Sequence, residues 1–438
     1  MIPAPHEYSR REQRGWYLYD WANSAFATTV LTVLLGPYLG SLAKAAADAE
    51  GFVHPLGIPV YADSFFPYAV SISVACQALV LPIVGAIADF GRRKREYLAA
   101  AAYLGSGATI AMFFLQGSSY LWGGLLLLLS NVAFGASIVI YNSFLPEIAP
   151  PEERDTVSSR GWAVGYAGGG LLLALNLWLL SGAEGDMAVR ISLGSAGVWW
   201  ALFTIPAVAA LRNRGAARTL PPGKNVVSVA FGQLKGTLRD MRHHPETLRF
   251  LIAYLLYNEA IQTVFVQAAP FASRELGLPL AQITAAILMV QFMAVFGALG
   301  FNRLAASITA KWAVMVSLAL WTLVVVYAYA GVNSATEFFV MSACVAIVMG
   351  GSQALSRSIY AQLVPRGKEA EYFSLYEIGD KGTSAFGPLV FGLALQYTGS
   401  FRSAILSLIV FFAAGMAVLG PLNVKRGEEA AMLHPSNE

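Results

Sequence analysis

Twelve apolar runs long enough to cross a bilayer follow one another along this chain, and they leave it few possible folds. They fall at about 16–43, 65–90, 97–115, 120–146, 159–181, 190–211, 248–271, 280–300, 309–330, 337–361, 373–396 and 401–421. Backbone groups in hydrocarbon must be satisfied within the segment, so runs of this length are read as helices. Only 13% of the 438 residues are charged and 56% are hydrophobic, whereas soluble domains carry about 25% charged residues. The expected fold class is therefore an all-α integral membrane protein of twelve transmembrane helices. The polar first fifteen residues and the length of the first run argue against a cleavable signal peptide.

The spans divide six and six. Residues 1–15 read as a tail, 16–211 as a six-helix bundle, 212–247 as a basic linker, 248–421 as a second six-helix bundle and 422–438 as a tail. Pro221-Pro222-Gly223 breaks the linker, and Val226–Met241 has the pattern of an amphipathic surface helix. If the amino terminus is cytoplasmic, 22 of the 29 Lys and Arg residues lie on inner segments. Only Lys44, Arg190, Arg274 and Arg402 lie outside, and Arg249, Arg357 and Lys381 fall within spans. This asymmetry predicts both termini in the cytoplasm. Sparse matches at an offset of 216, such as Asp155 with Glu371 and Ser158 with Ser374, fit two parallel repeats. The bundles are thus expected to be pseudo-symmetric.

Several function classes are excluded or weakened. The five histidines lie outside the apolar runs, which argues against an embedded metal or haem centre. Cys76 and Cys344 lie within runs and do not suggest a disulfide framework. The net charge of +3 comes with no nucleic-acid-binding arm. Gly165, Gly168, Gly169 and Gly170 lack the strand and the Lys-Ser/Thr of a phosphate loop, and read instead as close helix packing. No cofactor, metal or catalytic residue is expected.

The chemistry resides in acids within the spans. An acid in hydrocarbon costs about 2.5–3.5 kcal/mol on insertion scales, so it is functional by default. Asp20, Asn23, Ser24 and Thr28 fall at i, i+3, i+4 and i+8 and form one polar stripe. Glu259, Gln262, Thr263 and Gln267 repeat that spacing in the seventh span. The two stripes are expected to face each other across a central cavity, as contacts for substrate or proton or as fixed helix-to-helix networks. Asn131, Tyr141 and Asn142 are pore or packing candidates on the fourth span. Arg357, Glu377, Asp380 and Lys381 cluster near the inner ends of the tenth and eleventh spans. Glu377 is spaced to pair with Lys381, and Arg357 is expected to pair with Asp380 or bind a carboxylate.

Gly85, Asp89, Gly91, Arg92 and Arg93 lie in a Gly-x-x-x-Asp-x-Gly-Arg-Arg segment after the second span. It resembles the conserved loop of the major facilitator superfamily, although it is one residue shorter between Asp and Gly and lacks the Arg after Asp. In that family the acid, here Asp89, latches the cytoplasmic side against the eleventh helix. Tyr19-Asp20-Trp21-Ala22-Asn23-Ser24, Tyr141 to Glu147, Gly161 to Gly169, Gln353 to Ser358 and Pro365 to Phe373 narrow the resemblance. They are similar to one branch, the autophagy-related vacuolar amino-acid effluxers of fungi and their bacterial relatives.

The resemblance implies a secondary transporter working by alternating access, with a small polar organic solute as cargo and amino acids favoured. Proton coupling through Asp20 or Glu259 is a further expectation. Export of toxic or hydrophobic compounds is the alternative, weakened because the antiporter Gly-Pro signature is missing from the fifth span. A non-transporting receptor or scaffold is a third reading, and a membrane enzyme has no supporting nucleophile and base. The expected partners are a small-molecule substrate, the lipid bilayer and a proton, with no nucleic acid. A monomer in a bacterial inner membrane is expected, or a vacuolar location for a fungal source.

Overall fold

The computed structural model describes residues 9–91, 93–182, 186–213, 241–242, 244–382, 386–398 and 400–433. It is helical apart from one two-stranded ribbon. The first half of the chain contains α1 (Arg10–Ala45), α2 (Phe65–Phe90), α3 (Lys94–Phe114), α4 (Tyr120–Ile148), α5 (Pro151–Ser181) and α6 (Asp186–Ala210). The second half contains α7 (Pro245–Leu276), α8 (Leu280–Ile308), α9 (Ala310–Ala330), α10 (Ala335–Leu363), α11 (Glu369–Gly382), α12 (Phe386–Thr398), α13 (Phe401–Leu419) and α14 (Val424–Leu433). Among the described residues, ten helices are long and apolar enough to cross a membrane. The other two expected spans fall on α7, which carries Asn258, Glu259, Gln262 and Gln267, and on α11 with α12. The expected linker helix at Val226–Met241 lies almost wholly outside the described residues.

Two boundaries differ from the sequence reading. The first helix begins at Arg10, inside the expected tail, because its polar first turn is tied down. Gln13 donates to the Ile148 carbonyl, and Glu12 accepts from the Arg212 N–H. The expected loop between the first two spans contains a ribbon of β1 (Phe52–Val53) and β2 (Val60–Tyr61). Asp48 organises it by accepting from the N–H groups of Glu50 and Phe52 and pairing with His54 at 2.8 Å. The His54 contact and the Phe52 N–H hold the Asp48 carboxyl below the usual carboxylate range.

The helices pack antiparallel, so one end of the molecule carries the start of α1, the end of α2 and α14, and the other carries the ribbon. Within the first half α1 packs on α5 and α6, and α4 lies against α2 and α3. Within the second, α10 lies against α8 and α9, and α7 against α13. The halves meet through α2 with α11, α4 with α11, and α5 with α8 and α10. Midway along α1, Phe26–Leu34 is wound as a π-helix, and Thr32 donates to the Ala27 carbonyl five residues back. This wider winding turns Leu31 and Thr32 toward a large cavity between the halves.

Candidate functional site

The site is built around Arg357 of α10, which is 3% exposed. Its guanidinium enters a socket and bonds there to groups of the first half of the chain. Nη1 and Nη2 both donate to Asp20 Oδ2 at 3.2 Å, Nε donates to Ser158 Oγ at 2.9 Å, and Nη2 donates to the Ser158 carbonyl at 2.8 Å. The rings of Trp16, Trp162 and Tyr141 stand 4.6, 5.2 and 5.8 Å from the guanidinium carbon. All three are within the range of cation–π attraction. Trp16 stacks on Tyr141 at 4.4 Å and donates its indole N–H to the Tyr141 carbonyl, which fixes the floor of the cage.

Glycines on α5 let Asp20 and its helix approach. A β-carbon at Gly161 would sit 2.7 Å from Asp20 Oδ2, and one at Gly165 would sit 2.8 Å from Ser24 Oγ. Thr28 meets Gly169 in the same way. The first polar stripe is thus divided. Ser24 and Thr28 knit α1 to α5, while Asp20, Asn23 and Ser24 border a small cavity of about 140 Å³ with Asn142, Arg357 and Glu377. Asn142 donates to Glu377 across the halves at 3.0 Å. Asn23 Nδ2 and Asn142 Oδ1 are buried without a hydrogen-bond partner among the described residues.

The second acid is placed differently. Glu259 accepts from the Gly387 N–H at 2.7 Å, and Thr263 donates to the Glu259 carbonyl. A β-carbon at Gly387 would sit against Thr263 Oγ1 and 3.2 Å from Glu259 Oε2. Glu259 therefore faces α12 of its own half, and neither it nor Gln262, Thr263 or Gln267 borders either cavity described here. The face of α7 toward the larger cavity is Val264, Phe265, Ala268 and Ala269. The expectation that the two polar stripes face each other is corrected accordingly. Asp20 faces Arg357 rather than Glu259.

That larger cavity, about 710 Å³, lies in the ribbon half of the molecule. Apolar side chains such as Phe66, Val70, Ile287 and Phe338 line most of it. Asn131 borders it and bonds helix to helix, donating to Ser73 and accepting from Gln77. The larger and smaller cavities follow one another down the same helices. Leu31 lies one turn after Ala27 on α1, and Asn131 lies one turn before Phe134 on the oppositely directed α4.

The opposite end is closed by contacts between the halves. Asp89 accepts two N–H groups of the first turn of α11, from Ala370 at 3.0 Å and Glu371 at 2.8 Å. A β-carbon at Gly85 would lie 2.7 Å from the Ala370 carbonyl, so the α2–α11 contact is backbone-close. Ser158 donates to the Ala354 carbonyl, Arg154 to the Ala361 carbonyl, and Ser358 and Gln362 to Asp155. Gly91 ends α2 and Arg93 is exposed, while Lys94 pairs with Glu147. Arg92 and the side chains of Asp380 and Lys381 lie outside the described residues. Sequence reasoning did not single out Trp16, Ser158 or Trp162 for the socket. A signal for Ser158 was present in its repeat partner Ser374, whereas aromatic residues in apolar runs resemble lipid-facing ones.

A helical fold with a buried ion pair between its halves and a cavity at one end is that of a major facilitator transporter, not an enzyme. A family model described as "Vacuole effluxer Atg22 like" matches residues 8–432, and the chain belongs to that family. It is 29% identical to the MFS-type transporter YxiO of Bacillus subtilis (strain 168), over 93% of this chain and 94% of that one. It is 26% identical to Autophagy-related protein 22-1 of Penicillium rubens, over 97% and 92% respectively. The fold is similar to a bacterial homologue of the iron transporter ferroportin in its outward-facing state. The TM-score is 0.65 at 15% identity, covering 93% of this chain and 97% of that one.

Proposed function

We propose that this protein is a secondary active transporter with twelve membrane helices in two pseudo-symmetric six-helix bundles, and that the structure is its outward-facing state. Both termini lie in the cytoplasm, as the Lys and Arg distribution favours. The membrane is a bacterial inner membrane, and the protein acts as a monomer. The observation that carries this reading is the asymmetry along the molecule. A cavity of about 710 Å³ lies between the halves at the ribbon end, while the inter-half hydrogen bonds of Asp89, Arg154, Ser158 and Arg357 lie at the other. Breaking those bonds and closing the ribbon end would carry a solute from one side to the other.

The cargo is a small polar organic solute, with amino acids favoured by the resemblance to the vacuolar effluxers. Asp20 is the coupling acid, because a proton on it removes the charge that Arg357 pairs with. The test is flux of labelled amino acids into proteoliposomes under an imposed pH gradient. Gradient-dependent flux that disappears in Asp20→Asn is expected, and flux indifferent to the gradient would remove the proton from the mechanism. The apolar lining of the larger cavity favours export of hydrophobic compounds as a second reading. Under that reading, efflux of a lipophilic dye would exceed flux of any amino acid.

A further inference from the structure

The socket around Arg357 has a property that the transport reading leaves unused. The hydrogen-bond and ring partners described for the guanidinium, Trp16, Asp20, Tyr141, Ser158 and Trp162, belong to the first half of the chain. The guanidinium comes from the second half, as do Tyr254, Gln353, Tyr376 and Glu377, which border the small cavity beside it. Three electron-rich ring faces over one carboxylate are the chemistry that recognises an organic cation, and the guanidinium held there is such a group carried on a side chain. The fit to Asp20 is not the best one available. Both guanidinium nitrogens reach a single oxygen, each at 3.2 Å. A fork-to-fork pair uses both oxygens at about 2.7–2.9 Å.

Alternating access, on which this inference rests, requires α10 to leave α5 at the closed end. Arg357 then withdraws, and the first half is left with a buried carboxylate under three rings. An unpaired buried charge is strongly unfavourable, so the vacated socket attracts a replacement. The small cavity bordered by Asp20, Trp162 and Arg357 gives that replacement room beside the carboxylate.

We propose that this socket is a binding site for an organic monocation of the alkylammonium or guanidinium class, and that Arg357 is its built-in competitor. A cation enters from the tail side while α10 is away. The return of Arg357 to Asp20 and the rings evicts it toward the ribbon side. The ammonium group of an amino acid belongs to this class, so the socket narrows the proposed cargo to solutes carrying such a group.

The test uses purified full-length protein and does not require transport. Methylguanidinium and tetramethylammonium should raise the melting midpoint of Arg357→Ala, whereas N-methylurea, a neutral shape match, should not. Adding Asp20→Asn to that variant should weaken the apparent affinity at least about tenfold, which corresponds to about 1.4 kcal/mol. Equal responses to the cations and the urea, or a response that survives Asp20→Asn, would overturn the proposal. If Arg357→Ala does not fold, Arg357→Gln serves with the same expectations. A second arm keeps Arg357 in place. In a Cys76→Ser, Cys344→Ser chain, a cysteine at Gln362 should label faster with maleimide when either cation is present, and an unchanged rate again counts against the site. Cation binding without flux in vesicles would refute the transport reading and leave the socket standing; flux without cation binding would do the reverse.

Discussion

The two halves of this molecule each bury an acid on their first helix and bring a glycine of a later helix against it, yet the two acids are set to different tasks. Asp20 on α1 lies over Gly161 of α5 and points across the boundary to Arg357. Glu259 on α7 lies over Gly387 of α12 and accepts the N–H of that same glycine, inside its own half. One acid bonds to something that must move when the transporter turns over, and the other to something that moves with it. The same local arrangement thus yields a contact between the halves in one case and a contact within a half in the other. The difference lies in what stands opposite, not in the acid or its spacing.

The sharpest way to break this comparison is to remove the cation. Arg357→Ala leaves Asp20 buried and unpaired, and loss of one partner of a buried pair costs about 3–5 kcal/mol. Flux in proteoliposomes should vanish and the melting temperature should fall. A variant with near-normal flux would show that the pair is incidental. Gly161→Ala is expected next, because its new methyl would meet both Asp20 and Trp16. Overpacking of this kind costs about 1–3 kcal/mol, read as lower stability together with reduced flux. Asp89→Ala should follow, since it strips a cap from the first turn of α11. That cap is worth about 0.5–2 kcal/mol, and its loss should speed labelling of cysteines placed at the closed end. Glu259→Gln should matter least among the buried changes. A glutamine carbonyl still accepts from Gly387, so flux is expected to stay within a few-fold of normal. If Glu259→Gln instead abolishes pH-driven flux while Asp20→Asn does not, the assignment of the two acids is reversed. The exposed Asp48 gives the smallest effect. Its carboxyl is held low in the folded protein, so its support for the ribbon is present above the ordinary carboxylate pKa and is lost as pH falls through the depressed one. Limited proteolysis at the ribbon should quicken only in acid.

Much of this architecture could be read from the amino acids. The long apolar runs locate the ten helices that are long and apolar enough to cross a membrane. The stripe spacing puts Asp20, Asn23 and Ser24 on one side of α1, and the glycine cluster of α5 correctly reads as close packing. What could not be read is direction across the fold. Arg357 lies 337 positions from Asp20, and nothing local to either reveals the pairing. The π-wound stretch of α1 also escapes any reading based on a period of 3.6, because it takes up extra residues without a change of composition. Glu259 misleads for a related reason. Its spacing matches that of Asp20, but it accepts the backbone N–H of Gly387, which no side-chain pattern records.

The closed end carries a consequence for how this family can change over time. Asp89 binds two main-chain N–H groups, Arg154 and Ser158 bind main-chain carbonyls, and Arg357 binds one as well as a carboxylate. Each of these contacts is specified by one gene position only, since its other partner is present whatever residue stands there. Correlated substitutions between the halves should therefore single out Asp20 with Arg357, Asn142 with Glu377 and Asp155 with Ser358 and Gln362, and pass over the contacts made to main chain. Drift on the opposing faces of α10 and α11 is tolerated as long as their backbones keep their places.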